Sequence, residues 1–263
     1  MLFDPVAAYD RVAPVYARLA AERRAYIEAV ERLIAAEIPP GSRSLLDVGA
    51  GDGARARRIA EAAGLRELVL LEPSPAMRSY CPAEAAIWAM RAEDLGRQVG
   101  SFDVITCLWN VLGHIFPSAA RIEALRQFGR LASASGRIFI DVNHRYNARH
   151  YGAVATAVRV LRDWVSPREG NGDVTVTWNI EGQHCSTTGH VFTQREFERL
   201  AQTAGLHVEK RFFVDYASGA TRRRSWEGNL LYVLRGPVRM SERFRRPRAG
   251  SGRPRRSRRS SSG

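Results

Sequence analysis

The chain has 263 residues, 45% of them hydrophobic and 25% charged, the balance of a soluble globular protein long enough for a two- or three-layer core. No apolar run approaches the roughly 20 residues of a membrane span, so no membrane partner is expected. The formal net charge of +13 is concentrated at one end, because ten arginines face one glutamate from Gly236 onward. Any argument for a nucleic-acid partner therefore rests on the tail. The first residues, Met1 to Pro5, have neither a basic nor an apolar leader pattern, so no signal peptide is expected. Cys81, Cys107 and Cys185 are odd in number and scattered, which suggests reduced thiols and a cytoplasmic location.

Ala21 to Ala36 places Tyr26, Ile27, Val30, Leu33 and Ile34 on one face, an amphipathic helix ended by Pro39, Pro40 and Gly41. Ser44 to Val48 reads as a buried strand that breaks into glycines and resumes as a helix from Arg55 to Ala63. Leu68 to Glu72 is a second strand, stopped by Pro73. Ser74 to Tyr80 is a short helix, Ala86 to Met90 a third strand and Phe102 to Leu108 a fourth. A helix over Ile122 to Leu131 and a strand over Gly136 to Val142 follow. Apolar strands alternating with helices at this spacing predict a parallel sheet covered on both faces. Ala148 to Val165 reads as helix, and Asp173 to Phe192 alternates like strands, with turns expected at Gly182 and Gly189. Thr193 and Glu196 form a capping box ahead of a helix to Ala204. Strands over Val208 to Tyr216 and Asn229 to Leu234 follow, and then an Arg/Ser/Pro/Gly tail expected to be disordered.

Ligands of such sheets sit beyond the carboxyl ends of the strands. There the first strand runs into Asp47-Val48-Gly49-Ala50-Gly51-Asp52-Gly53-Ala54. The glycines admit a close backbone approach, and the following helix presents its first N–H groups. Gly49-x-Gly51-x-x-Ala54 also satisfies the dinucleotide fingerprint, with Glu72 near the expected ~20 residues further on. A nicotinamide dehydrogenase is thus one reading. Asp47 and Asp52 argue against it, because carboxylates beside the turn repel a pyrophosphate and suit a ligand with an ammonium and a sulfonium.

Leu45 to Gly53 resembles the first motif of the class I S-adenosylmethionine-dependent methyltransferases. Leu70-Leu71-Glu72-Pro73-Ser74-Pro75-Ala76-Met77 resembles their second, Arg91-Ala92-Glu93-Asp94-Leu95 their third and Ser101 to Ile105 their fourth. The resemblance covers roughly Tyr9 to Leu234. It implies an α/β, Rossmann-like, doubly wound and mostly parallel seven-stranded sheet with an antiparallel last strand, and S-adenosyl-L-methionine as cofactor. It further implies that Asp47 and the Gly49, Ala50, Gly51 and Gly53 turn hold the methionine end. Glu72, followed by Pro73, would take the ribose hydroxyls, Met77 the adenine face, and Ala92 the adenine ring through its N–H. Arg91 stands where the family usually has an acid, which leaves the adenine amino group to Glu93 or to no side chain. Tyr9, Arg11 and Tyr16 resemble an N-terminal lid, and Leu108 and Trp109 are further cofactor candidates.

Cys107 to His114 with Ile140 to Arg145 is similar to the glycine and sarcosine N-methyltransferases, which also carry a small antiparallel insertion before the last helix. That resemblance favours a small-molecule amine or hydroxyl acceptor. The expected organisation is a helical lid over residues 1–40, a cofactor-binding half over 41–150, an acceptor-side insertion over 151–192, a last helix and strands over 193–236, and a basic tail over 237–263. His114 and His144 follow strand ends and are the candidate bases, since histidine titrates near neutrality; each could equally hydrogen-bond a loop carbonyl. Asn110, Asn143 and Arg145 are candidate acceptor ligands. His184, Cys185 and His190 lack metal-ligand spacing, so no metal is expected. Two alternatives stay open: a methyltransferase acting on RNA or protein with help from the tail, and a non-catalytic cofactor-binding module.

Overall fold

A computed structural model describes residues 4–180 and 182–237; apart from Pro237, the expected basic tail lies outside the described residues. The chain opens with α1 (Pro5–Val12), α2 (Tyr16–Ala21) and α3 (Arg24–Glu37). The alternation that follows is β1 (Ser44–Val48), α4 (Ala54–Ala63), β2 (Glu67–Leu71), α5 (Pro75–Arg78), β3 (Ala86–Trp88), β4 (Phe102–Cys107), α6 (Ser118–Leu131) and β5 (Ala132–Val142). After it come α7 (Ala148–Tyr151), α8 (Ala153–Val165), β6 (Asp173–Ile180), β7 (Gln183–His190), α9 (Gln194–Thr203), β8 (His207–Val214), β9 (Thr221–Arg222) and β10 (Asn229–Arg235).

The main sheet has the order β3-β2-β1-β4-β5-β10-β8-β9. Its first five strands are parallel, and β10 runs antiparallel to both β5 and β8. Every residue of β1 is buried, as a strand covered on both faces requires. Tyr26, Val30 and Ile34 of α3 pack with Ile59 of α4 on one face. Leu125 and Phe128 of α6 pack with Phe197 of α9 on the other. Phe197 stacks on Tyr232 at 4.1 Å between centroids, and burying one such ring is worth about 1.5–3 kcal/mol. The Thr193–Glu196 capping box that starts α9 is formed. Strand order reverses between β1 and β4, so their carboxyl ends open the crevice where a doubly wound sheet takes its ligand.

β6 and β7 form a separate hairpin that packs on the lid: Ala8, Val12 and Cys185 are buried together beside Tyr16, Leu19, Trp178 and Ile180. The N-terminal segment brings Pro5, Val6, Tyr9 and Tyr16 to the crevice, and the hairpin packs against that segment.

Four local expectations change. The eighth strand, Thr221–Arg222, extends the seven expected by a two-residue edge. The N-terminal helix begins at Arg24 instead of Ala21. The helix expected over 148–165 is broken at Gly152, whose φ of +85° no helix accommodates. Gly182, at φ +82°, makes the hairpin turn. Gly189 makes none; it pairs with Val174 inside β7.

Candidate functional site

Asp47 ends the sheet-facing part of β1 as a buried carboxylate that accepts from the Thr106 hydroxyl of β4 at 2.5 Å. Loss of water pushes its pKa up to about 6, against the lowering effect of that hydrogen bond. The turn after it carries left-handed glycines. Gly49 has φ +69°, and a Cβ there would lie 2.5 Å from a Val111 methyl; Gly51 has φ +62° beneath the Tyr16 hydroxyl and the Met77 methyl. The Gly49 and Ala50 N–H groups are tied to the Leu71 carbonyl, which locks the turn to β2.

At the end of β2, Glu72 accepts from the Gly51 N–H and the Ser74 N–H, each at 2.8 Å. Burial raises its pKa to about 7, with the two backbone donors opposing. The lid is pinned to this edge at two points. Asp10 of α1 accepts from the Ser74 hydroxyl at 2.5 Å and the Ala76 N–H at 3.1 Å. Asp4, which caps α1, pairs with Arg91 at 2.8 Å. Arg91 thus has an account that its position in the third motif did not suggest: it anchors the lid.

Beyond β4, Trp109 and Asn110 take φ +56° and +64° in succession, a strained pair that needs outside support. Asp141 of β5 supplies it. Its carboxylate accepts from the Trp109 N–H at 3.0 Å and from the Tyr26 hydroxyl at 2.5 Å, and its carbonyl accepts from the Asn110 N–H at 3.0 Å. The Trp109 indole N–H donates to the Tyr216 hydroxyl. Nothing in the local sequence marks Asp141 for this role beyond its being an acid in an apolar strand.

These elements line one open cleft at the carboxyl ends of β1, β2 and β4. Tyr16, Asp47, Gly49, Ala50, Gly51, Glu72, Pro73, Ala92, Glu93, Leu108 and Trp109 line it, together with Tyr9, Arg55 and Val111. Gly53 and Met77 are not in its wall. Gly53 shapes the turn into α4 from behind, and Met77 is wholly buried under Gly51.

The candidate acceptor-side residues separate. His114 lines the cavity; its Nδ1 lies 3.0 Å from the Thr188 carbonyl and its Nε2 3.3 Å from the Tyr9 hydroxyl. A carbonyl only accepts, so Nδ1 carries the proton and the Nε2 lone pair accepts from the Tyr9 hydroxyl. Burial lowers the His114 pKa, which keeps it neutral. His144 is 2% exposed and donates through Nδ1 to the Ser225 carbonyl at 2.8 Å, away from the cavity wall. Asn110 and Asn143 are spent on structure: Asn110 bridges the His190 carbonyl and the Asn143 N–H, and Asn143 accepts from Asn229. Arg145 is buried in ion pairs with Asp163 at 2.9 Å and Glu196 at 2.6 Å. The sequence suggests His144 as a base and Asn110, Asn143 and Arg145 as acceptor ligands; instead Asn110 and Arg145 are held by His190 of the hairpin, and Asn143 and His144 by Asn229 and Ser225.

The residues in the cavity wall suit the expected cofactor. Buried Glu72, raised to about 7, is a hydrogen-bond acceptor for a diol once ionised. The bare backbone at Gly51 leaves room, and Asp47 offers a carboxylate to an ammonium.

Comparison with known proteins agrees. Residues 17–211 match the methyltransferase domain family. A dTDP-3-amino-3,6-dideoxy-alpha-D-glucopyranose N,N-dimethyltransferase from Streptomyces fradiae is 29% identical over 187 residues, covering 65% of this chain and 72% of the relative. Among solved structures, the CcbJ methyltransferase of Streptomyces caelestis superposes with a TM-score of 0.65 at 16% identity, over 89% of this chain and 100% of that one. The sugar N-methyltransferase KedS8 of a Streptoalloteichus species superposes with a TM-score of 0.54 at 21% identity, over 84% and 92%. With the family matched over most of its length and the cavity built from that family's motifs, the chain belongs to the S-adenosylmethionine-dependent class I methyltransferases.

Proposed function

We propose that the enzyme methylates the amine nitrogen of a small-molecule acceptor, of the amino-sugar kind named for the Streptomyces fradiae relative. The observation that carries this reading is His114, which lines the cavity with its unprotonated Nε2 against the hydroxyl of Tyr9, another lining residue. An aliphatic amine at neutral pH is mostly ammonium and has no lone pair to offer, so a base beside it is needed. His114 takes that proton on Nε2 while Nδ1–H stays on the Thr188 carbonyl. Tyr9, held protonated by burial, donates to Nε2 in the resting state and orients the ring. Bound S-adenosylmethionine supplies a methyl carbon already activated by its sulfonium. The protein's remaining work is to align the nitrogen for in-line displacement and to exclude water, for which the N-terminal helices supply Pro5, Val6, Tyr9 and Tyr16.

Replacing His114 with asparagine should lower kcat on an amine acceptor by about 10²–10⁴-fold. It should also abolish the acidic limb of the rate profile, which lies below pH 6.5 because burial lowers the histidine, and leave cofactor affinity intact. Acceptors identified by a mass-spectrometric screen of amino sugars, other amines, phenols and carboxylates provide the assay. An unchanged kcat and pH profile would remove His114 from the mechanism, and methylation of phenols alone would refute the amine reading.

A further inference from the structure

Arg55 is the second residue of α4 and only 9% exposed. It lies in the wall of the cofactor cavity, and also of a second, adjoining cavity between α2, α3 and the start of α4. None of its three guanidinium nitrogens has a hydrogen-bond partner. Its nearest counter-ion is Glu31, with Nε 3.4 Å from Oε1, and that carboxylate is already engaged. Arg58 grips both of its oxygens, at 2.9 and 2.7 Å.

The other acids nearby are committed as well. Asp47 accepts from Thr106, Asp141 from Tyr26 and Trp109, and Asp52 from the Ala54 N–H. Of the arginines lining the second cavity, Arg24 pairs with Glu28 at 2.6 Å and Arg58 with Glu31. Arg55 alone among them keeps its donors unmatched. A buried guanidinium with five unanswered N–H groups is costly, and a planar two-oxygen anion is the partner its fork matches.

We infer that Arg55 receives the carboxylate of the cofactor's methionyl end. This rests on the cofactor assignment and adds to it the half of the zwitterion that the acids of the turn cannot serve. Asp47 suits the ammonium, but a wall whose acids are Asp47, Glu72 and Glu93 would repel the carboxylate without a cation beside them. Arg55 reaches the same cavity from the adjoining helix and supplies the opposite sign there. Its role is to discriminate amino-acid-bearing nucleosides from those that lack the carboxylate.

The test is calorimetric titration of wild type, Arg55→Gln and Arg55→Lys with three ligands. These are S-adenosylhomocysteine, its decarboxylated analogue, and 5′-methylthioadenosine, which lacks both charged groups. Wild type should bind S-adenosylhomocysteine about 10–100-fold more tightly than the decarboxylated analogue, the range of charge-assisted hydrogen bonds. Arg55→Gln should erase that preference while binding 5′-methylthioadenosine within about twofold of wild type, which also certifies its fold. Arg55→Lys, which keeps the charge and loses the fork, should fall between them. Equal wild-type affinities for S-adenosylhomocysteine and the decarboxylated analogue would overturn the inference without any variant. A preference that survives in Arg55→Gln, or an equal loss of all three ligands, would overturn it too. Wild-type protein that binds none of the three would refute the cofactor assignment itself.

Discussion

Replacing His144 with asparagine should make the folded state less sensitive to acid. The ring is buried and spends its one proton on the Ser225 carbonyl. Burial first, and the neighbouring Arg145 charge as well, hold its pKa down at about 4 against an ordinary 6.5. A histidine whose folded pKa is depressed contributes stability that is whole above pH 6.5 and is lost as pH falls toward 4, because the unfolded chain binds the proton more readily. The full gap corresponds to about 3 kcal/mol at about 1.4 kcal/mol per pKa unit, of which about 2 kcal/mol is gone by pH 5. Asparagine can still donate to the Ser225 carbonyl but cannot titrate. Packing loss from the smaller side chain is the same at every pH and cancels in the comparison. Urea unfolding followed by circular dichroism at pH 7.5 and pH 5.0 should show the wild type losing about 2 kcal/mol more than the variant over that interval. A wild-type-minus-variant difference that does not change with pH would refute the reasoning, and would mean that water reaches the His144 ring.

Three further outcomes follow from the same geometry. Glu72 can accept from two ribose hydroxyls through both oxygens, with charge assistance, only when ionised, and burial holds its pKa at about 7 in the free protein; S-adenosylhomocysteine affinity should therefore rise from pH 6 to pH 8, and calorimetry of Glu72→Gln should show a flat profile at affinity about 10-fold lower or more. Asp141→Asn should destabilise the fold by about 1–3 kcal/mol in urea unfolding, because one of its two buried partners, the Tyr26 hydroxyl or the Trp109 N–H, loses a charged acceptor. Its cofactor affinity should fall too, as the Trp109–Asn110 turn relaxes. Gly49→Ala should cost about 1–3 kcal/mol by thermal or urea unfolding, from the left-handed backbone and the collision with Val111. Val111→Ala should recover only the part due to the collision.

Two of the contacts that hold α1 in place are Asp4–Arg91 and Asp10–Ser74. Each joins a residue near the N-terminus to one more than sixty positions later. Such a pairing leaves no local trace. Arg91 looked anomalous as a third-motif residue only because its partner lay in another part of the chain.

That most of the residues expected at the cofactor line one cavity was legible in the sequence because the information is local. A buried strand, a turn that only glycine can make, and an acid at the end of the next strand lie within about thirty consecutive residues, and parallel pairing of β1 with β2 brings Asp47 and Glu72 to one edge with no further choice. The acceptor half was not. His114 and His144 both follow strands, and so do Asn110, Asn143 and Arg145. Their side chains are directed by groups distant in sequence: Thr188 for His114, Ser225 for His144, His190 for Asn110, Asn229 for Asn143, and Asp163 and Glu196 for Arg145. Local spacing sets where the backbone turns, and so determined how the methyl donor's site is framed. Which side chain faces the cavity and which is spent on a neighbouring loop depends on long-range packing, and only the tertiary structure decided that His114 stands at the site, His144 behind it, and Arg55 beside it with its donors unmatched.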